Sequence, residues 1–508
     1  MNEYAVSFSY MRIATIPEIQ EIEKGVIEAG HSAERLMELA AHGMRDVLLV
    51  DPLTRLAKEA VILVGKGNNG GDGVVLARLL MEEGWTVRLF LVTETLGELP
   101  QKKLDQLKRL FPDVDVISDL QKLHWPRSNG VLIDALLGIG LKSKPQGLFA
   151  RVIALANAAR WRGSFRTVAL DLPSGLCEET SAADEAIIAD LTITVGFPKS
   201  ILVKEHFSNW VGRVEVVPIF EMESEGLSEQ RQLLTKSELR ELLPRRLSQS
   251  YKGSYGKSLI IAGSLGMTGS AALTSMACMR GGSGLTYLST FTDCIPLLAG
   301  HVPSEVMIRD LFSGDLFHLF QECDAIAIGP GLGQSQESLS ALNYLLDHIQ
   351  CPVVIDADAL NLIATHPELE ALIPEGSIFT PHEGEMARLL KVDLVDRERQ
   401  AIEYAQAKKV ILVLKGTRTM VVSPEGRIDY NSTGNAGLAK GGSGDVLTGI
   451  IVALLAQGLD SWNAARLGVW LHGKAADEAL AMIGAEESLV GTDVVNAIAK
   501  AICALRQD

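Results

Sequence analysis

Short apolar runs rich in Val, Ile and Leu recur along the chain, each closed by glycine or by a small polar cluster. From Ala60 the text reads AVILVGKGNNGGDGVVLARLLMEEGWTVRLFLV: an apolar run, glycines, a helix-like stretch, Gly84, and a second apolar run. That succession predicts a βαβ unit. Further runs at Gly130–Leu137, Thr167–Leu172 and Leu191–Val195 alternate with Ala- and Leu-rich segments of helical character. The first half therefore reads as α/β with a doubly wound parallel sheet. The pattern breaks at FEMESEGLSEQRQ (Phe220–Gln232), which has no apolar periodicity and carries Glu221, Glu223, Glu225 and Glu229. A linker is expected there, at 226–235, between domains at 1–225 and 236–508. The second domain opens with the helix-like KSELRELLPRR. Its strands are expected in KGSYGKSLIIAGS and at Ala325–Ile328, Pro352–Ile355, Ser377–Phe379 and Val410–Leu414.

Composition narrows the partners. The chain has 508 residues, with 47 Lys+Arg against 63 Asp+Glu, a net charge of −16, and it has no dense basic run. Nucleic acid is therefore not an expected partner. The 6 cysteines are scattered without a CxxC pair, which argues against a disulfide framework or a zinc knuckle and fits a reducing compartment. Met1–Tyr10 has neither the basic nor the apolar part of a secretory leader. No apolar run reaches the roughly 18 residues of a spanning helix. The expectation is a soluble cytoplasmic protein that does not engage a membrane.

Candidate chemistry in the first half lies at the ends of the apolar runs. Gly65-Lys-Gly67-Asn-Asn-Gly70 matches GxGxxG between a strand and a helix, where backbone N–H groups and the helix dipole suit an anion. A tight turn without ligand would read the same way. The polar insertions Asn68, Asn69 and Asp72 suit a cation as well, since a carboxylate repels a phosphate. Asp134, in the run VLIDALLGIG, and Asp171, in ALDLPSG, close two further runs. Either aspartate alone would pass for a turn residue. Together the three run ends bring polar groups to one edge of a sheet, the edge at which open α/β sheets bind ligands.

The set GNNGGDG (Gly67–Gly73), DALLGIG (Asp134–Gly140) and DLPSG (Asp171–Gly175) resembles the N-terminal domain of the NAD(P)H-hydrate epimerases, which have a Rossmann-like three-layer fold. The resemblance implies that Asn68, Asn69, Gly70, Gly71 and Asp72 touch a hydrated dinucleotide. It implies the same for Gly138, Ile139, Gly140, Leu141, Lys142, Ser143 and Lys144. It further implies a potassium site of Asn69, Asp134 and Ser174, with Asp171 as the acid/base beside the substrate. The segment departs from the family at Leu141, Lys142 and Ser143, where small residues are usual.

Four polar clusters punctuate the second half: GPGLG (Gly329–Gly333), DADALN (Asp356–Asn361), TPHEGE (Thr380–Glu385) and GGSGDVL (Gly441–Leu447). In the last, backbone N–H groups at a helix start would form an anion hole for a transferring phosphoryl group, and Asp445 would take a proton from an attacking hydroxyl. KGTRT (Lys415–Thr419) reads as a nucleotide-binding turn or as a solvated hairpin. With KGSYGKSLIIAGS (Lys252–Ser264) and MTGSAAL (Met267–Leu273), these phrases resemble the ribokinase-like superfamily, and within it the ADP/ATP-dependent NAD(P)H-hydrate dehydratases. The fold implied is a second doubly wound, ribokinase-like three-layer domain. By this resemblance Lys415, Gly416, Thr417, Arg418, Thr419 and Gly444 hold the adenine nucleotide. Ser270, Gly333 and His382 line the hydrate pocket, and Asp445 is the base. Ser270 stands where the family has Ala, and Glu383 where it has Pro. His382 also has a structural reading, as a capped residue, and His472 is read as structural.

The implied activity is epimerisation of the two forms of NADH hydrate and NADPH hydrate, with dehydration of the S form. ADP serves as phosphoryl donor with magnesium, potassium sits in the epimerase domain, and the assembly is a homo-oligomer. A ribokinase-class small-molecule kinase with an appended nucleotide-binding domain is the alternative. A sensor without turnover leaves Asp171 and Asp445 unexplained, and a nicotinamide dehydrogenase leaves Asp72 and the second half unexplained.

Overall fold

The computed structural model describes residues 11–51, 53–127, 129–141, 143–163, 165–177, 180, 186–219, 227–228, 230–314 and 316–507. They form two compact units, one ending at Ser228 and one running from Glu229 onward. No helix among the described residues is long and apolar enough to cross a membrane.

After the short strand β1 (Met11–Arg12), the N-terminal unit contains seven strands: β2 (Glu59–Val64), β3 (Thr86–Leu91), β4 (Asp115–Ile117), β5 (Val131–Ala135), β6 (Arg166–Leu170), β7 (Leu191–Val195) and β8 (Arg213–Val217). Their order is β4-β3-β2-β5-β6-β7-β8, and every pairing is parallel. The apolar runs predict β2, β3, β5, β6 and β7, because a parallel sheet covered on both faces needs apolar residues at successive positions; the edge strands β4 and β8 lie outside those runs. Residues 60–64 of β2 are all buried. One face packs on Ala33–Val50, Asn68–Glu82 and Glu98–Leu110, the other on Gly147–Arg162. Strand order reverses between β2 and β5, which opens a crevice at their C-terminal ends.

The C-terminal unit contains β9 (Arg231–Leu233), β10 (Lys257–Ile261), β11 (Leu285–Thr290), β12 (Met307–Asp310), β13 (Ala325–Ile328), β14 (Val353–Ile355), β15 (Ile378–Phe379), β16 (Ile411–Leu414), β17 (Met420–Val422) and β18 (Ile428–Tyr430). Within the unit the order is β9-β18-β17-β16-β15-β14-β13-β10-β11-β12. Strand β17 runs antiparallel to β16 and β18. The reversal point lies between β10 and β13, beside which Gly263 N donates to Pro330 O and Ser264 Oγ to Gly331 O. Helix Ser443–Ala456 is buried along its whole length from Val446 and packs against Thr268–Gly281, with Ser461–Ile483 and Gly491–Arg506 in the same core. A helix apolar all round belongs in an interior. It fits because a Cβ at Gly449 would lie 2.3 Å from the Thr274 carbonyl oxygen.

One expectation is corrected. The segment 226–235, read as linker, contains β9, which pairs in parallel with β18 from Arg231 to Leu233. Its three residues are too few for a periodicity, and its partner lies almost two hundred positions along the chain, so the pairing is tertiary. Residues 220–226 and Glu229 lie outside the described residues.

Candidate active sites

At the crevice of the N-terminal unit, β2 runs through Gly65–Gly67 into helix Asn68–Glu82, whose N-cap Gly67 makes no side-chain cap. The glycines serve first to let backbones meet. A Cβ at Gly65 would fall 1.7 Å from the Leu136 carbonyl oxygen, and one at Gly70 2.0 Å from that of Gly65. Gly67 has open space around it, so close packing does not account for a glycine there.

Beside this turn, Asn69 (8% exposed), Asp134 (0%) and Ser174 (1%) come together. Ser174 donates its Oγ–H to Asp134 Oδ1 at 2.6 Å and its N–H to Oδ2 at 2.7 Å. Leu137 N donates to Ser174 Oγ, and Asn69 Nδ2 donates to Leu137 O at 2.9 Å. Burial pushes the Asp134 carboxyl up to about 6 against these stabilising bonds. Asn69 Oδ1 is buried and has no hydrogen-bond partner among the described residues. A buried acceptor without a donor costs stability unless something else meets it. An amide oxygen, a hydroxyl and one carboxylate fit a large monovalent cation such as potassium.

Asp171, directly after β6, takes a left-handed backbone with φ of 65°. Its carboxylate is bound by Lys199, which the sequence reading missed. Glu23, on helix Ile16–Glu28, was missed as well; its carboxyl is raised by desolvation and then by the charge of Asp171. Asp72 is raised well above its ordinary value, by burial first and then by Asp171 and Glu23. The only sequence signal for Lys199 is a lysine without charged neighbours in TVGFPKSIL. Asn68 is exposed in the first turn of its helix, while Gly70 and Gly71 are buried. Gly138 packs on Asn69 and starts a turn closed by Leu141 N to Gly138 O. Ile139 and Leu141 are half-buried; Gly140, Ser143 and Lys144 are exposed, and Lys142 lies outside the described residues.

In the C-terminal unit GPGLG, DADALN, TPHEGE and KGTRT follow β13, β14, β15 and β16, so four parallel strands end at one edge, and GGSGDVL opens helix Ser443–Ala456. Helix Ser443–Ala456 starts from Gly442 (φ 91°) without a side-chain cap. Over its first turn lies Lys415, whose Nζ would be 3.2 Å from a Cβ on Gly444. Lys415 Nζ donates to Asp356 Oδ1 at 2.9 Å, and Thr448 Oγ1 donates to Asp356 Oδ2 at 2.8 Å. Glu385 stands 3.7 Å from the same ammonium. Asp445 is half-buried in that first turn. Its carboxyl is pushed up to about 6, by burial first and then by the Asp356 charge, against a hydrogen bond from Ser270. Gly333 N donates to Asp358 Oδ2.

The remaining candidates divide. His382, with its side chain 55% exposed, caps helix Glu383–Leu390: Nδ1 accepts from Gly384 N at 3.0 Å, and its own N–H donates to Glu385. Lys415–Thr419 forms the turn between β16 and β17, in which Gly416 and Thr417 are exposed and Thr419 Oγ1 bonds back to Gly416 O. Arg418 is buried, which lowers its guanidinium to about 10. His472 is buried and lowered to about 4.

Each unit thus gathers carboxylates at the edge of a doubly wound sheet where such folds bind ligands, and in the second Lys415 and the uncapped start of helix Ser443–Ala456 lie at that edge. This defines a two-domain α/β enzyme class with a kinase-like C-terminal half. The family model for NAD(P)H-hydrate dehydratase matches residues 258–500, and that for the YjeF-related protein N-terminus matches 33–201. A bifunctional NAD(P)H-hydrate repair enzyme of Coxiella burnetii is 36% identical over 494 residues, 94% of this chain and 96% of the relative. The chain belongs to the family of bifunctional NAD(P)H-hydrate repair enzymes. Among solved structures, a ribokinase-like superfamily protein of Enterococcus faecalis is 28% identical, covering 56% of this chain and 100% of its own, with a TM-score of 0.50. An ADP/ATP-dependent NAD(P)H-hydrate dehydratase of Bacillus subtilis, co-crystallised with ATP and magnesium, is 32% identical, covering 54% of this chain and 98% of its own, with a TM-score of 0.48.

Proposed function

We propose that this chain repairs hydrated nicotinamide nucleotides in two steps, one in each unit. Hydration of the C5–C6 double bond leaves a hydroxyl on C6 in two epimers. The N-terminal unit interconverts them, with Asp171 moving the proton. The C-terminal unit acts on the S form: Asp445 takes the C6 hydroxyl proton as the oxygen attacks the terminal phosphoryl group of ADP, releasing AMP. Loss of a C5 proton and departure of phosphate then restore NADH or NADPH. Phosphate leaves far more readily than hydroxide, and the helix N-terminus with Lys415 stabilises its charge. The observation that carries this reading is Asp445 in the uncapped first turn of helix Ser443–Ala456, beside the ammonium of Lys415.

Lys415, Gly416, Thr417, Thr419 and Gly444 contact the nucleotide in this reading, with Arg418 supporting the turn from within. Ser270 and Gly333 line the hydrate pocket. His382 contributes through Nε2, its Nδ1 being used by the cap. Magnesium enters with the nucleotide phosphates: no group of three His, Cys, Asp or Glu side chains among the described residues could hold a metal ion, and magnesium takes one or two carboxylates plus phosphates. Asn69, Asp134 and Ser174 would hold potassium, which offsets the repulsion between Asp134 and a substrate phosphate. Asn68–Asp72 and Gly138–Lys144 flank the hydrate. A cytoplasmic homo-oligomer completes the proposal.

The test is recovery of reduced-nicotinamide absorbance from mixed hydrate epimers with ADP, ATP or neither. Full recovery with ADP is expected and none without nucleotide. A stable phosphorylated product without recovery would favour a kinase.

A further inference from the structure

Lys199 is 2% exposed, and an isolated ammonium in that position would be strongly unfavourable. Its Nζ reaches three acceptors: Asp171 Oδ1 at 2.5 Å, Val195 O at 2.8 Å and Thr194 Oγ1 at 3.0 Å. Three acceptors use the three protons of an ammonium and fix its direction. Thr194 Oγ1 and Val195 N also donate to Asp171 Oδ1, each at 3.3 Å. Among the described residues, every hydrogen bond to this carboxylate goes to Oδ1 and none to Oδ2. The left-handed backbone of Asp171, tied by its N–H to Ile193 O, turns the side chain toward the end of β7. A non-glycine residue persists there only when its surroundings over-determine it.

We propose that Lys199 is a positioning residue of the N-terminal site, clamping Asp171 Oδ1 so that Oδ2 is the oxygen presented to the substrate. The proposal rests on the assignment of Asp171 as acid/base. Oδ2 gives a proton to the C6 hydroxyl as the C6–O bond breaks, leaving water and a ring iminium. It takes a proton back as water re-adds to the opposite face of C6, while Lys199 neither gains nor loses one. Lys199 is also the cation facing three carboxylates, since Glu23 from helix Ile16–Glu28 and Asp72 from helix Asn68–Glu82 both sense it and Asp171. Without it Asp171 would lose its orienting partner and face the other two acids uncompensated.

The test is a double-mutant cycle in the full-length chain on the epimerase rate, with dehydration of the S epimer as internal standard. Lys199→Met keeps the length of the side chain and removes its charge. It is expected to lower epimerase kcat about 100-fold with KM within about threefold, the signature of a lost contribution to chemistry rather than to binding. Lys199→Arg, which restores a cation, should recover about tenfold of that loss. In an Asp171→Asn background, Lys199→Met should change the rate less than about twofold, because a residue acting through Asp171 has nothing left to act on. Independent, multiplicative losses, or a rise in KM alone, would overturn the proposal. A normal epimerase rate in Asp171→Asn would remove Asp171 itself from the chemistry, an outcome distinct from failure of the Lys199 inference. If Lys199→Met melts the N-terminal unit, Lys199→Arg is read alone. A kcat about tenfold below wild type at unchanged KM then supports the clamp, and an unaltered kcat refutes it.

Discussion

Asp445 is the residue on which the second step turns. Replacing it with Ala should lower nucleotide-dependent dehydration by about 10²–10⁴-fold, the usual contribution of a general base, while epimerisation persists; assaying both activities on one preparation checks this. Its raised carboxyl gives the pH dependence a sign. A base works when ionised, so dehydration should fall roughly tenfold per pH unit below about 6, where an ordinary aspartate at about 3.9 would allow activity much further into acid. A rate that stays flat from pH 7 to 4.5 would exclude Asp445 as the titrating base. In the other unit, Asp134→Ala should weaken hydrate binding and abolish any potassium dependence of epimerisation. Titrating potassium against epimerase rate decides it, and identical wild-type and mutant curves would reduce Asp134 to a turn residue. Asp134 and Asp171 were legible because each follows an apolar run, and Asp445 because a glycine cluster sets it at the start of one. Lys199 was not, because nothing along the chain relates it to a partner 28 positions away.

Among the elements, the glycine turn after β2 separates two roles that one motif joins. Gly65→Ala places a methyl against the Leu136 carbonyl and should cost the N-terminal unit about 1–3 kcal/mol, as overpacking does. Gly67→Ala meets open space at an ordinary φ of −89° and should leave the melting temperature nearly unchanged, while raising epimerase KM severalfold if the turn is where a ligand approaches. Thermal melts with KM measurements on both variants check this, and equal destabilisation would show that Gly67 is also structural. Where an apolar run was read, the strand lies inside it or within one or two residues of it, Ala325–Ile328 and Leu191–Val195 at both ends, while β4, β8, β9, β11, β12, β17 and β18 fall outside the runs. Parallel strands buried on both faces announce themselves as unbroken hydrophobic text. Strand β9 did not, because its pairing with β18 depends on a distant segment.

For the whole molecule, two cores and two sites imply two separable activities. Each unit has its own buried apolar clusters, so the effects of Asp171→Asn and Asp445→Ala should be independent. Asp171→Asn alone should let about half of an equal epimer mixture be consumed quickly, since the amide keeps the shape but exchanges no proton; rapid loss of both epimers would contradict it. The division into two α/β halves and the carboxylates at the strand ends followed from the residues alone, since period, turn chemistry and apolar runs are local properties of the chain. Tertiary structure decided what lies across from what: Lys199 on Asp171, Lys415 between Asp356 and the start of helix Ser443–Ala456, the Nδ1 of His382 used as a helix cap, and the Asn69 oxygen without a donor among the described residues. These depend on distances between segments far apart in the chain, which packing sets and local pattern does not encode.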